Sequence, residues 1–360
     1  MSQHFTFHVV SLPHTQTTAE YTHCAYTQKV RKFCNMMTSL GHTVYLYASE
    51  DNEANVSELI TVITKDKQQE FFGTQNHTKD FFSITWNPDD THWQYMNSNA
   101  IKEIKKRIQP RDFICVIGGV CQKQIADAFP DILSVEYGIG YTGVFSKYRV
   151  FESYAHLHYV HGEMKDDSGN FYDTVIPNYY DTAEFPLSNN NEEYYLFMGR
   201  LIDRKGYRIA QEVCEKLGKR LIVAGQGEFT GYGEYVGVVG VEERAKLMSN
   251  AKAVFVPTTY IEPFGGVHAE ALLCGTPVIT TNFGVFTETV QNGVNGVRCD
   301  VFQDFLDAVK WSDTVSLVQR KHIQEDARKR FSTENVRYQY DKYFNRLYDL
   351  WQDGWYQVNG

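Results

Sequence analysis

Glu262 and Glu270 frame the segment EPFGGVHAEALLCGTP, with Pro263 and the pair Gly265–Gly266 between them. Proline and paired glycines oppose helical continuity from Glu262. The spacing therefore predicts a helix from about Gly266 to Cys274, ended by Gly275. Glu262 then lies on a loop, and Glu270 lies one turn inside the helix. The free N–H groups of a glycine-led helix start, strengthened by the helix dipole, make an anion site. A carboxylate one turn inside cannot itself hold phosphate, but it accepts two hydrogen bonds from vicinal hydroxyls such as those of a ribose. The segment suits a nucleotide, with phosphates on the glycines, ribose on Glu270 and a polyhydroxy group near Glu262. It equally suits a capped core helix with two solvated glutamates.

A second segment, FMGRLIDRKG, bears on that choice. Arg200 and Lys205 follow a strand end, with Gly199 and Gly206 loosening the turn. Two cations there can neutralise a diphosphate, Arg as a planar fork and Lys as a point charge. Alone, they read as a surface salt-bridge cluster with Asp203. Ligands of open α/β sheets bind at the carboxyl ends of strands. Both segments fall at such ends, which makes a diphosphate site the better explanation.

The elements that must position these residues alternate in type. The apolar run FTFHVVSL reads as a buried strand. In YTQKVRKFCNMMTSLGH the apolar positions recur at helical spacing with Gly41 as the stop, and TVYLYAS is the next strand. This opening is the βαβ unit of a parallel sheet. The alternation returns in AIKEIKKRI, DFICVIGG, CQKQIADAF and ILSVEYG. A second series follows the polar link PLSNNNEE: EYYLFMGR, KGYRIAQEVCEKLG, KRLIVAGQGE, VEERAKLMSNA, AVFVPT, GVHAEALLCG and PVITT. The fold class is α/β, with two Rossmann-like domains. In the tail, Val336, Tyr340, Tyr343, Phe344, Leu347 and Trp351 share one helical face that must be buried, the first domain being one place for it.

Bulk properties bound the function. A chain of 360 residues exceeds what one core usually organises, which favours two domains. The 14% aromatic content argues against disorder. No apolar run approaches the ~20 residues that span a bilayer, and the N-terminus lacks the pattern of a signal peptide. Cys24, Cys34, Cys115, Cys121, Cys214, Cys274 and Cys299 are dispersed, which reads as reduced thiols in a cytoplasmic protein and not as a disulfide framework or zinc site. The formal charge of −9 supplies no global attraction to nucleic acid or anionic lipid.

In sum, G-R-L-x-x-x-K-G, then V-A-G-x-G, then E-P-F-G-G…E with seven intervening residues resembles the retaining GT-B glycosyltransferases of family four over about residues 194–300. The resemblance implies a GT-B architecture: two Rossmann-like domains facing each other across a cleft, with a C-terminal helix crossing back to the first. The expected division is 1–181 for the acceptor domain, 182–335 for the donor domain and 336–360 for the crossing helix. It implies that Arg200 and Lys205 contact the donor diphosphate, that Glu262 faces the transferred sugar and that Glu270 holds the nucleotide ribose. The turn at Gly199 and the backbone of Phe264, Gly265 and Gly266 lie by the sugar and phosphates. The implied donor is a nucleoside-diphosphate sugar, with UDP as the nucleotide, and the reaction proceeds with retention. Preorganised cations and amides stabilise the leaving diphosphate, so no cofactor or metal is required. Asp89-Asp90 in NPDDTHW resembles a metal-binding pair only loosely and reads as a turn.

The first domain departs from that family. A loop glycine pair is replaced by Pro13-His14-Thr15-Gln16-Thr17-Thr18, a later histidine by Glu136 in SVEYGIGYTG, and P-N-G-V-D by Pro177-Asn178-Tyr179-Tyr180-Asp181. His14 is a candidate contact for phosphate or acceptor, against a solvated loop histidine. Glu136 is a candidate to orient or deprotonate an acceptor hydroxyl, against a structural role in its turn. Of His156, His158 and His161, whose spacing shares no single helical face, His158 is the candidate near the cleft. The stretches EYTHCAYTQKVRKFC, VEYGIGYTG and RVFESYAHLH resemble a phage-borne branch, in which some members modify hydroxymethylated cytosine. This motivates 5-hydroxymethylcytosine in duplex DNA as acceptor, in a host cytoplasm, with Lys102, Lys105, Lys106, Arg107 and Arg111 as the local basic feature. No obligatory protein partner is evident. The alternatives are a cell-envelope glycan or lipid acceptor, a nucleotide-sugar epimerase, and a non-catalytic sugar- or nucleic-acid-binding protein. A dehydrogenase is disfavoured, because no G-x-G-x-x-G follows the first strand.

Overall fold

A computed structural model of the chain describes residues 3–21, 24–74, 84–189 and 192–353, with side chains to residue 349. Thr22 and His23 of the phage-like stretch, Asn190 and Asn191 of the expected link, and the Trp351 side chain lie outside the described residues. The chain forms two compact units. The first comprises the chain up to Phe151, Val160–Ile176 and the C-terminal segment from Arg337; the second comprises Glu152–Tyr159 and Pro177–Val336.

The first unit is a parallel sheet of β1 (Thr6–Val10), β2 (Thr43–Ala48), β3 (Glu58–Thr61), β4 (Phe113–Val116), β5 (Leu133–Ile139), β6 (Tyr148–Phe151) and β7 (Asp173–Val175), in the order β3-β2-β1-β4-β5-β6-β7. Central β1 pairs with β2 and β4, placing Phe7 opposite both Val44 and Phe113. Its continuous apolar run is explained by burial on both faces. The connections carry α1 (Ala25–Ser39), α2 (Lys65–Phe72), α3 (Thr91–Ile104), α4 (Lys123–Asp127) and α5 (Tyr154–Met164).

In the second unit β8 (Tyr194–Met198), β9 (Arg220–Ala224), β10 (Glu234–Gly237), β11 (Val254–Val256), β12 (Val278–Thr281) and β13 (Gly296–Cys299) follow the order β10-β9-β8-β11-β12-β13. Its helices are α6 (Tyr207–Leu217), α7 (Val241–Asn250), α8 (Gly266–Leu273), α9 (Phe286–Thr289), α10 (Phe302–Ser312) and α11 (Leu317–Phe331), followed by the long α12 (Thr333–Asp353). Both units are Rossmann-like, as the alternation predicts. Strand order reverses between β8 and β11, and loops leaving the carboxyl ends at such a switch point flank a crevice.

Two local expectations change. The helix expected over AIKEIKKRI begins at Thr91 and ends at Ile104, because Trp93, Met96, Ala100 and Ile104 form its buried stripe. Asp90 stands at its N-cap and bonds Thr85, while Lys105, Lys106 and Arg107 fall at or beyond its end. The segment Glu152–Tyr159 groups with the second unit. There Ser153 Oγ donates to the Pro263 carbonyl at 2.6 Å, and Glu288 accepts the N–H groups of Tyr154 and Ala155 at 3.0 and 2.6 Å.

From Arg337 onward α12 belongs to the first unit. Its apolar stripe, Tyr340, Tyr343, Phe344 and Leu347, is buried. The Phe344 ring stands 4.7 Å from that of Phe7 and 5.0 Å from that of Phe113, edge to face in both cases. Truncation to Phe344→Ala removes the centre of this cluster and is expected to cost ~3–5 kcal/mol in urea unfolding of the chain. A loss below about 1 kcal/mol would show that the helix is dispensable to that core.

Candidate functional site

The two chemical segments emerge from neighbouring strands. After β8, the turn carrying Arg200 is stitched to the turn after β9: Gly199 N–H donates to Ala224 O at 2.9 Å and Leu201 N–H to Gln226 O at 2.8 Å. The chain then coils tightly over Asp203–Lys205 into Gly206, which has a φ of +74°. A Cβ at Gly206 would stand 2.0 Å from Pro257 O, on the loop leaving β11. Only glycine permits that approach, and the Arg204 carbonyl accepts the Thr259 N–H at 2.9 Å across the same junction.

This brings Lys205 to Glu262. Its Nζ lies 2.8 and 2.9 Å from the two carboxylate oxygens of Glu262, which is buried. Tyr260 packs beneath both basic residues, its ring centroid 4.8 Å from the Arg204 guanidinium and 5.0 Å from Lys205 Nζ. Burial, reinforced by the charge of Glu262 and a bond to it, pushes the Tyr260 phenol far up, so it stays protonated; the charges of Arg204 and Arg200 act the other way. Arg200 is half-buried in the same loop.

The helix start is as the spacing predicts: Gly265 is left-handed, with a φ of +73°, and α8 begins at Gly266. The Phe264 side chain turns into the core against Phe331, 5.5 Å between rings. Only its backbone can serve a ligand. Glu270 is buried and forms an ion pair with Arg244 from α7, Nε to Oε2 at 3.2 Å. A Cβ at Gly266 would meet the Tyr180 hydroxyl at 2.9 Å, so the helix start is walled by that phenol. Burial first, then the charges of Glu270 and Glu152, hold the Tyr180 hydroxyl well above its ordinary pKa. Gly199, Arg200, Lys205, Glu262, Phe264, Gly265, Gly266 and Glu270 thus meet at the carboxyl edge of one sheet. Sequence reasoning missed Arg244, Tyr180 and Tyr260. Arg244 sits in an ordinary amphipathic helix, and nothing in its spacing points to Glu270.

The remaining candidates lie elsewhere. Glu136, in the first unit, is wholly buried. Its carboxylate accepts the Tyr141 hydroxyl at 3.1 Å and the N–H groups of Phe145 and Ser146 at 2.9 and 2.7 Å. Burial raises its pKa against those bonds, and its partners are those of a turn-fixing group. His158 is exposed on α5, whereas His156 is the buried member of that run. His14 is not a solvated loop histidine. It is buried in the first unit, near the rings of Phe72 and Trp86. A cavity of about 710 Å³ beside it is lined by Glu20, Glu50, Asp51, Glu53 and Lys65 among others. Within the basic run Lys106 pairs with Glu103 at 2.6 Å, Arg107 pairs with Glu58 at 2.6 Å, and Arg111 stacks on Tyr348. Among the described residues no group of three or more His, Cys, Asp or Glu could hold a metal ion, and no helix is long and apolar enough to cross a membrane.

Two buried histidines set an acid limit. Burial, aided by His92, lowers His14 to about 3. Burial also lowers His268 to about 4, partly opposed by its bond to Gly265. Both values are depressed below the ordinary 6.5, so the unfolded chain binds protons that the folded chain refuses. The stability this confers is complete above about pH 6.5 and is lost as pH falls toward 4 and 3. At pH 5 the loss is on the order of 1–2 kcal/mol for each histidine. Tm is expected to fall between pH 7 and 5, and to fall less in His14→Gln. A Tm unchanged over that interval would contradict these assignments.

Residues 181–330 match the family model described as glycosyl transferases group 1. An uncharacterised glycosyltransferase of Methanocaldococcus jannaschii is 29% identical over 171 residues, 41% of this chain and 43% of that protein. The chain spans less than half the length of the curated relatives it matches. Among solved structures, sucrose-phosphate synthase of Thermosynechococcus elongatus superposes with a TM-score of 0.71 at 16% identity, covering 96% of this chain and 99% of that one. Anabaena Alr3699/HepE, solved with UDP and glucose, gives 0.64 at 16% identity, covering 94% and 99%. At those identities the likeness is one of fold. The second unit thus matches the glycosyl transferases group 1 superfamily along most of its sequence, and the fold is that of GT-B glycosyltransferases.

Proposed function

We propose that the chain is a retaining glycosyltransferase that moves a sugar from a nucleoside-diphosphate sugar, with UDP as the nucleotide, to an acceptor hydroxyl. The observation that carries this reading is the convergence of Arg200, Lys205, Glu262, the Gly265–Gly266 helix start and Glu270 on the switch point of one sheet. Their order and spacing resemble the motifs of the retaining GT-B glycosyltransferases, and they lie within the residues 181–330 that match the family model. In the reaction the bond from the sugar anomeric carbon to the diphosphate oxygen breaks, and its electron pair stays on the diphosphate. Arg200, Lys205 and the helix-start N–H groups offset that charge as it develops. The acceptor oxygen bonds the same face of the anomeric carbon, and its proton passes to a donor phosphate oxygen. Glu262 orients the sugar hydroxyls, and Glu270 accepts the ribose hydroxyls.

The finer reading, 5-hydroxymethylcytosine in phage DNA as acceptor, rests on the three resembling stretches. Charge weighs against it: Lys106 and Arg107 of the basic run are paired with carboxylates, and a cavity of the first unit carries Glu20, Glu50, Asp51 and Glu53 against one lysine, Lys65. Such a lining repels a phosphodiester and suits the hydroxyls of a glycan. Transfer to hydroxymethylated duplex, with no transfer to glycan acceptors, would reverse that preference.

Release of nucleoside diphosphate from a panel of nucleotide sugars tests the activity, and no release with any donor or acceptor would contradict it. Lys205→Ala is expected to lower turnover about a hundredfold or more in a chain that still folds, at a cost of up to about 3 kcal/mol for leaving the buried Glu262 carboxylate without its partner. A collapse in Tm that matches the lost turnover would mark Lys205 as structural. Glu270→Ala should weaken UDP binding by ~1–3 kcal/mol, the loss of a pair of ribose bonds. Unchanged affinity by calorimetry would refute that role.

A further inference from the structure

His268 stands between the two glutamates in EPFGGVHAE, and the donor reading gives it no task. Its side chain is fully buried in a cage of rings, 5.4 Å from Phe264, 5.4 Å from Phe286 and 6.3 Å from Phe331. Nδ1 lies 2.5 Å from the carbonyl oxygen of Gly265, which also accepts the His268 backbone N–H at 3.0 Å. Nε2 is buried and has no hydrogen-bond partner among the described residues.

These contacts choose the tautomer. A proton on Nε2 would be a donor buried among phenyl rings, and it would leave the Nδ1 lone pair facing a carbonyl oxygen. Both cost free energy. A proton on Nδ1 satisfies the carbonyl and leaves only a bare lone pair against the cage. With its pKa lowered to about 4 by burial, the ring is neutral at neutral pH. His268 is therefore a fixed donor to Gly265.

Gly265 is the pivot of the helix start. It is left-handed, and a Cβ there would meet Glu262 Cγ at 2.8 Å and His268 Nδ1 at 3.3 Å. The imidazole, Gly265 and Glu262 are thus packed in contact. The Gly265 carbonyl and the Gly266 N–H share one planar trans peptide, so they point in opposite directions. Drawing the carbonyl toward the buried ring turns the Gly266 N–H the opposite way, out of the N-terminal end of α8.

We propose that His268 is a positioning residue of the phosphate site: its Nδ1–H, bonded to the Gly265 carbonyl, aims the Gly266 N–H at the donor diphosphate. The assignment rests on the donor reading above. It makes the histidine act through one peptide plane and not through contact with the ligand.

Three full-length chains test it, the wild type, His268→Asn and His268→Leu, each titrated with UDP in a calorimeter and melted in parallel. The asparagine amide N–H occupies the place of Nδ1–H, whereas leucine fills the cage without a donor. His268→Asn is expected to hold UDP affinity within about threefold of wild type, and His268→Leu to weaken it about tenfold or more. A histidine that merely fills space predicts the reverse order, because leucine suits a phenyl cage better than asparagine does. Leucine binding like wild type, or asparagine as weak as leucine, overturns the proposal. A wild-type chain that binds no UDP overturns the donor reading and the anion role together, which separates the two failures. If His268→Leu does not fold, nitrogen-15 spectra of the labelled wild-type imidazole decide: Nδ1–H is expected, and Nε2–H overturns the assignment.

Discussion

The turn after β8 crosses the loop after β11 so closely that a methyl group on Gly206 would stand 2.0 Å from the Pro257 carbonyl oxygen. That approach lets Lys205 Nζ reach both oxygens of Glu262 from a different strand. The remaining site geometry depends on it. With the two loops held together, Tyr260 lies under Arg204 and Lys205, and Glu262 backs onto Gly265 at the start of α8. Without it the cations and the helix start would belong to two independent loops.

Ion pairs of this kind are poor devices for stability. A half-buried Lys–Glu pair loses hydration that its mutual attraction barely offsets, and apolar replacements are often as stable. Two such pairs, Lys205–Glu262 and Arg244–Glu270, meet on the two glutamates of one short stretch of the second unit, and each glutamate is buried. In the proposed function a ligand exchanges with them. A diphosphate offers Lys205 new oxygens, and sugar hydroxyls offer the two carboxylates new donors. In that reading the charges stand at the site before the ligand arrives and change partners when it binds.

Much of this was legible in the sequence, for identifiable reasons. Parallel strands buried on both faces announce themselves as apolar runs, so β1, β4, β8 and β12 could be placed from composition. Pro263 and Gly265–Gly266 marked the start of α8 through backbone restrictions alone. Short, part-exposed strands such as β3 and β10 carry no comparable signal and were missed. Side-chain partners were harder still. The reach of Arg244 to Glu270 depends on how α7 lies against α8, which no spacing within either helix encodes. Glu136 reads as a strand-end carboxylate but lies in the middle of β5, and its bonds to Tyr141, Phe145 and Ser146 across the following loop left no signal in the sequence.

The central claim is that the second unit holds a diphosphate, with its second phosphate on Arg200, Lys205 and the start of α8. Competitive titration of the full chain with UDP and UMP measures this directly, because the two ligands share base and ribose and differ only in that phosphate. The account predicts that UDP binds about tenfold or more tightly than UMP. Equal affinity for the two would contradict it.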